Sequence, residues 1–275
     1  MKKYVQDVSL LSILVIFLVF IITSNYYVTD MVYYSINMWI KRIVPTLLPT
    51  FIIVDLFYNS NIPYLVQKYL HFNPLYIISI ISGSPTNAYV LKEANNCEKA
   101  LAVTKYTGFI FTILSLKNIF DNHIVLLLIL FNILCNFILV LFIKPGSFYI
   151  NRKHISFVNC FVQSIKNGMV ILINILGFVI FFNILPINYI DNQLIKGILY
   201  SMSEVTTSFA YLSYTTLGFP IKLFLAIISM SSCGLCISLQ IKSIISDTNF
   251  NYKQYIKYRL IHLILFLIFG LFLLI

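Results

Sequence analysis

The chain is 275 residues long, 60% hydrophobic and only 10% charged, where a soluble domain carries about 25% charged residues. A water-soluble globule of this size could not hide so much apolar surface, which disfavours a soluble enzyme, a secreted domain and a nucleic-acid-binding protein alike. Lys and Arg outnumber Asp and Glu by 19 to 9, but they sit between apolar runs; the net charge of +10 reads as membrane orientation, with attraction of an anion as a second use of the same field.

Met1, Lys2 and Lys3 precede an apolar run over 8–23, and the following Ser24, Asn25, Tyr26 and Tyr27 offer no small-residue cleavage site. A retained first span with a cytoplasmic N-terminus is expected. Residues 37–58 carry Lys41, Arg42, Pro45, Pro49 and Asp55, the mark of a kinked or interface-entering helix. Residues 75–94 are apolar up to Ile81, break at Ser82, Gly83, Ser84, Pro85, Thr86 and Asn87, and then resume. Uninterrupted spans are predicted over 99–116 and 119–143. The charged stretch 144–154, with Pro145 and Gly146, reads as a cytoplasmic linker. A further span covers 157–185, and 193–217 holds Glu204 in a polar patch. Residues 219–245 break at Ser229 to Gly234 in the same style as 82–87, and a last span covers 252–275.

The expected fold is all-α: a polytopic integral membrane protein of two pseudo-repeated halves, 1–143 and 157–275, joined by the linker 144–156, each half with a broken or re-entrant helix. A gap-free register sets Ile80, Ile81 and Ser82 against Ile227, Ile228 and Ser229, with Glu93 opposite Gln240. Positive-inside arithmetic favours a re-entrant path for 219–245, because a full crossing there would put Lys253, Lys257 and Arg259 on the wrong side. The orientation of the first half stays open.

A helix that breaks at membrane depth must line protein or a water-filled cavity, since lipid cannot satisfy its backbone. The helix restarting after each break presents unpaired N–H groups and a positive dipole end, which suit a carboxylate or other anion. Candidate substrate-binding residues are Ser82, Gly83, Ser84, Pro85, Thr86, Asn87, Ser231, Ser232, Cys233, Gly234 and Gln240, with Glu204, Thr206 and Thr207 from the polar patch. Small-residue helix packing is the plain alternative for the breaks. Glu204 suits a cation, a coupling proton or a substrate hydrogen bond; a helix N-cap is the plain alternative there. Asp55 and Glu93 are weaker candidates, Glu93 beside Lys92 at a water-exposed helix end.

The five cysteines form no secreted framework, and Cys233 and Cys236 read as small residues at a helix break rather than a redox pair. His71, His123, His154 and His262 have no metal-ligand spacing, and GxSxG, Walker A and GxGxxG are absent. No enzyme, metal or cofactor is expected.

Over nearly its whole length the chain resembles the YlbJ/SpoVV-type sporulation integral membrane proteins, which carry nucleoside-recognition Gate domains. The resemblance rests on IKRIVPTLLPTFIIVDLF, on SGSPTNAYVLKEA beside the family's S-G-Y-P-x-G-A, on Ser203-Glu204-Val205-Thr206, and on the stretch from Ser231 through Arg259 to His262 beside its G-G-L-S-x-H-x-Q and Arg-Leu-x-His helix. The chain departs from that pattern at Ser84, Asn87, Cys233, Cys236 and Ser238. Where the family has an Asn-Asn pair, it has Lys105, Tyr106, Thr107, Gly108 and Phe109. The resemblance implies a transporter in the outer forespore membrane of a spore-forming bacterium, moving dipicolinic acid, a small aromatic dianion. The implied partners are a small anionic solute and the lipid bilayer, with no nucleic acid; a homo-oligomer stays open. A nucleoside or other carboxylate permease is the alternative, as is a non-transporting scaffold for envelope assembly.

Overall fold

The computed structural model describes residues 2–92, 94–144 and 156–274. Glu93 and the expected linker beyond Lys144 therefore lie outside the described residues. Every regular element among the described residues is helical. Helix α1 (Lys2–Thr23) meets α2 (Asn25–Met38) at Ser24, where the chain bends by 95°. Helix α2 runs through a π-helical turn, Trp39–Ile43, into α3 (Val44–Asn59). Pro45 has no N–H for the carbonyl of Lys41; at the turn's end the Val44 N–H reaches back five residues, to Trp39. The prolines thus coincide with one widened turn in a helix that runs on from Asn25 to Asn59.

A short helix α4 (Ile62–Leu70) leads to two interrupted pairs, α5 (Pro74–Ser82) with α6 (Thr86–Leu91) and α7 (Cys97–Thr104) with α8 (Phe109–Leu116), and then to the long α9 (Asn122–Ile143). The chain continues with α10 (Phe157–Asn183), a 3-10 turn at Pro186–Tyr189, α11 (Gln193–Ser203) with α12 (Val205–Tyr214), α13 (Phe219–Ser232) with α14 (Gly234–Ile244), and α15 (Tyr252–Leu271). Among the described residues, four stretches are long and apolar enough to cross a membrane: α9, Phe157–Tyr189, Phe219–Ile244 and α15. The bent α1 to α3 segment makes a fifth if it counts as one span. Helix α9 shows the packing rule. Its buried stripe of Val125, Leu128, Asn132, Cys135, Asn136 and Leu139 recurs at helical spacing, while Leu126, Leu130, Phe137 and Leu141 are exposed and equally apolar. An element apolar on both faces suits one side in protein and one in lipid.

Two expectations are corrected. The segment 99–116 is not one span: it opens between Thr104 and Phe109, where Gly108 takes φ +81° and the Tyr106 carbonyl leaves the helix to accept from Ser84 N–H. The segment 219–245 does not turn back. Two consecutive residues of positive φ, Cys233 at 53° and Gly234 at 72°, interrupt it, and the two pieces continue as one 26-residue candidate span.

The fold-back lies instead at 193–214. The Ser201 and Ser208 hydroxyls are 3.1 Å apart, the Tyr200 and Tyr211 ring centroids 5.5 Å, and the Tyr211 hydroxyl donates to the Gln193 carbonyl at 2.9 Å. Residues seven apart in one straight helix are separated by about 10 Å along its axis, so α11 and α12 form a hairpin with Glu204 at its tip. Helices α5 and α6 likewise pack on one another, with residues 83–85 as the tip. Ser208 also meets Ser229 of α13 at 2.7 Å, tying the second hairpin to the crossing helix beside it. Helix α13 is approached closely at two further points. A Cβ on Gly197 of α11 would stand 2.7 Å from Leu225 Cδ1, and one on Gly270 of α15 would overlap Ile227 Cδ1.

Candidate functional site

Each hairpin tip rests on the break of the interrupted helix that follows it. At the first crossing Gly83 adopts φ +74°, and a Cβ there would lie 2.6 Å from Gly108 Cα and 2.8 Å from the Tyr106 carbonyl oxygen. Only glycine allows that approach in that conformation. Ser84 N–H donates to the Tyr106 carbonyl at 2.6 Å. Asn87, in the first turn of α6, donates its Nδ2 to the Thr104 carbonyl and hydroxyl at 3.1 and 3.2 Å, closing the end of α7.

At the second crossing Glu204 is extended, and its carboxylate accepts from the N–H groups of Thr206 (3.0 Å) and Thr207 (2.6 Å). It is the N-cap of α12. Gly234, at φ +72°, would bring a Cβ to 2.7 Å from the Ser203 carbonyl oxygen. The Ser232 hydroxyl bridges the same junction, with the Ser201 carbonyl at 3.3 Å and the Gly234 N–H at 3.1 Å.

The two tips meet across one small cavity of about 30 Å³, room for about one water molecule with the tips in this position. Ser84 and Pro85 line it from the first tip, Glu204 and Thr206 from the second, Thr107 from the α7/α8 break and Gln240 from α14. Ile43, Leu47, Phe111, Ile175, Val179 and Ile237 complete an apolar wall. Ser84 Oγ and Gln240 Oε1 are buried without a hydrogen-bond partner among the described residues. Leaving such a group unpaired costs about 1–3 kcal/mol, so both atoms are poised for a bound solute or water.

Of the residues singled out in the sequence, Ser84, Pro85, Glu204, Thr206 and Gln240 line the cavity, whereas Ser82, Gly83, Asn87, Ser232, Cys233 and Gly234 build the crossings. Thr86 is buried at the start of α6, and Thr207 turns its hydroxyl to Asn183 Oδ1 at 2.7 Å. Ser231 faces away from the cavity, with its hydroxyl 2.8 Å from His262 Nδ1. The expectation of two free helix starts meets a correction. At the start of α6 the N–H groups of Asn87 and Ala88 are met by the Gly83 and Pro85 carbonyls at 2.9 and 3.0 Å, and at the start of α14 the Gly234 N–H is met by Ser232. Asp55 is fully buried away from the cavity lining, accepting from Ser164 Oγ (2.6 Å) and Asn59 Nδ2 (3.0 Å). Cys233 and Cys236 are free and buried.

Thr107 was missed because its segment reads as apolar. The signal available was a lysine and a glycine, Lys105 and Gly108, inside one run. Also missed was a buried basic group outside the cavity, Lys105, Arg259 and His262, all 7% exposed or less. Comparison with family models, with curated proteins and with solved structures finds no match.

Proposed function

We propose that the chain is a membrane transporter of the sporulation type its sequence resembles, holding its solute between the two hairpin tips. The observation that carries this reading is the convergence of three helix interruptions, at 84–85, 107 and 204, on one cavity with two unpartnered buried polar atoms, Ser84 Oγ and Gln240 Oε1. Interrupted helices at the midplane are the usual construction of a transport site, because their freed backbone can approach a solute. A helix-packing scaffold has no need of two orphaned side chains facing one space.

Helix order supports a repeat: a long helix, a hairpin, an interrupted crossing and another long helix occur twice, as α3 and α5 to α9, then as α10 to α15. In this register residues 82–85 correspond to 203–204, and 105–108 to 233–234, in place of the alignment of Ser82 with Ser229. Moving the second fold-back from 219–245 to 193–214 leaves the count of crossings unchanged. The N-terminal end of α15, which carries Lys253 and Lys257, stays cytoplasmic.

The resemblance points to dipicolinate, carried across the outer forespore membrane. A nucleoside is the second reading, and the cavity wall favours it. Among the described lining residues there is a carboxylate, Glu204, and an unpartnered amide oxygen, Gln240 Oε1, but no Lys or Arg. These are acceptors asking for donors, which a nucleoside supplies through hydroxyl and amino groups; a dianion would face Glu204 at close quarters in a poorly screened site. Purified protein in liposomes should take up labelled solute, and competition between dipicolinate and nucleosides should rank the two. Glu204→Gln should impair uptake while the protein still reaches the membrane. Absence of flux for every solute tried, in protein the cell needs for localising partners, would establish the scaffold reading instead.

A further inference from the structure

Arg259 is 7% exposed, within the candidate span α15, and none of its four hydrogen-bond partners among the described residues is a carboxylate. A guanidinium buried without a counter-charge is costly, so the negative potential that holds it must come from elsewhere. Its Nη1 donates to the Ala102 carbonyl at 2.8 Å and its Nη2 to the Ser231 carbonyl. Ala102 lies in the last turn of α7 and Ser231 in the last turn of α13, the helices interrupted at the two crossings. Because each helix stops short, these carbonyls have lost the N–H donors four residues on. Each helix C-terminus carries about half a negative elementary charge. Two ends together match one guanidinium. Asn136 Oδ1 at 3.4 Å and His262 Nδ1 at 3.2 Å complete the set, and His262 is held in turn by the Ser231 hydroxyl.

Lys105 repeats the pattern on the same side. It sits at the α7/α8 break and is 2% exposed, with Nζ 3.2 Å from Ser238 Oγ of α14 and 5.5 Å from the ring centre of Tyr255, one turn before Arg259 on α15. The amine therefore also bridges the first interrupted crossing to the second through neutral acceptors.

Free C-terminal ends of interrupted helices are where coupled transporters bind an alkali ion. We propose that the Arg259 guanidinium is a resident cation occupying that place, tying the ends of α7 and α13 together so that the protein needs no Na⁺ there. Arg259 is a positioning residue in this scheme: it holds the two crossings in register and does not touch the solute. The inference goes beyond the transport reading and does not depend on the solute.

The test reads the melting temperature of the full chain in detergent, which separates its failure from any failure of the transport reading. Wild type should melt at the same temperature in NaCl and in choline chloride at equal ionic strength; a Na⁺-specific rise would overturn the proposal. Arg259→Ala should melt lower, and millimolar guanidinium should recover part of the loss. The variant should also acquire a preference for Na⁺ over choline that wild type lacks, a signature that lost packing alone would not produce. Arg259→Lys, which keeps the charge, should melt above Arg259→Gln, which keeps only amide donors. Equal or reversed order would show that hydrogen bonding rather than charge holds the helix ends, and would overturn the proposal even if Arg259→Ala cannot be purified.

Discussion

The two crossings solve one geometric problem with different chemistry. At the first, glycine meets glycine: Gly83 lies on Gly108, backbone against backbone, and the polar groups of the tip are spent on the neighbouring chain through Ser84 N–H and Asn87 Nδ2. At the second, one glycine, Gly234, meets the Ser203 carbonyl, and the tip satisfies itself, Glu204 bonding the N–H groups of its own following helix. The first is a joint between two segments. The second is a self-contained turn that carries a charge to the cavity.

The largest effect that would break this contrast is expected at Gly83. In Gly83→Ala the new methyl would meet the Gly108 backbone, which cannot move aside as a side chain can, at a φ that L-residues resist. We expect a loss of about 4 kcal/mol or more, seen as failure to recover monodisperse protein. Gly234→Ala should cost less, about 2–3 kcal/mol, because the tip it meets is a single residue between two helices and can shift; thermal unfolding in detergent should rank the pair. If Gly234 proves the more sensitive, the second crossing is the rigid joint.

At Glu204 the two roles can be pulled apart. Glu204→Ala removes the cap of α12 and should lower stability by about 1–2 kcal/mol, whereas Glu204→Gln keeps an acceptor for one N–H and should fall between the two. Both should impair uptake, so unfolding and flux measured on the same preparations separate structural from chemical loss. The smallest stability change is expected for Gln240→Leu. Replacing a buried, unpartnered amide oxygen by carbon should leave the melting temperature unchanged or slightly raised, yet weaken solute binding about tenfold, roughly 1.4 kcal/mol. A clear drop in stability would mean that Gln240 is already satisfied without solute.

The breaks at 82–87 and 229–234 could be read from the sequence because serine, glycine and proline have few other reasons to cluster inside an apolar run. The break at 105–108 could not. Lys105, Tyr106 and Thr107 are tolerated in a helix, and what opens this one is tertiary: Gly83 pressing on Gly108 and Ser84 drawing off the Tyr106 carbonyl, more than twenty residues away in the chain. Direction was hidden for a different reason. Whether a chain folds back or carries on turns on the dihedrals of one or two residues, extended at Glu204 and left-handed at Cys233, and hydropathy is blind to them. Arg259 reads in the sequence as one more cytoplasmic charge beside Lys253 and Lys257, and its burial stays hidden because its partners include main-chain carbonyls far away in sequence, which no side-chain pattern records.

The close contacts around α13 have a kinematic consequence. Leu225 seats against Gly197 and Ser229 is bonded to Ser208 on one face of the helix, while Ile227 seats against Gly270 on the other, so the second hairpin and α15 grip α13 from two sides. A rod keyed in this way has no independent roll or slide. Any displacement of the second hairpin must carry α13 and α15 with it, and the unit of motion in this half is the assembly rather than the tip.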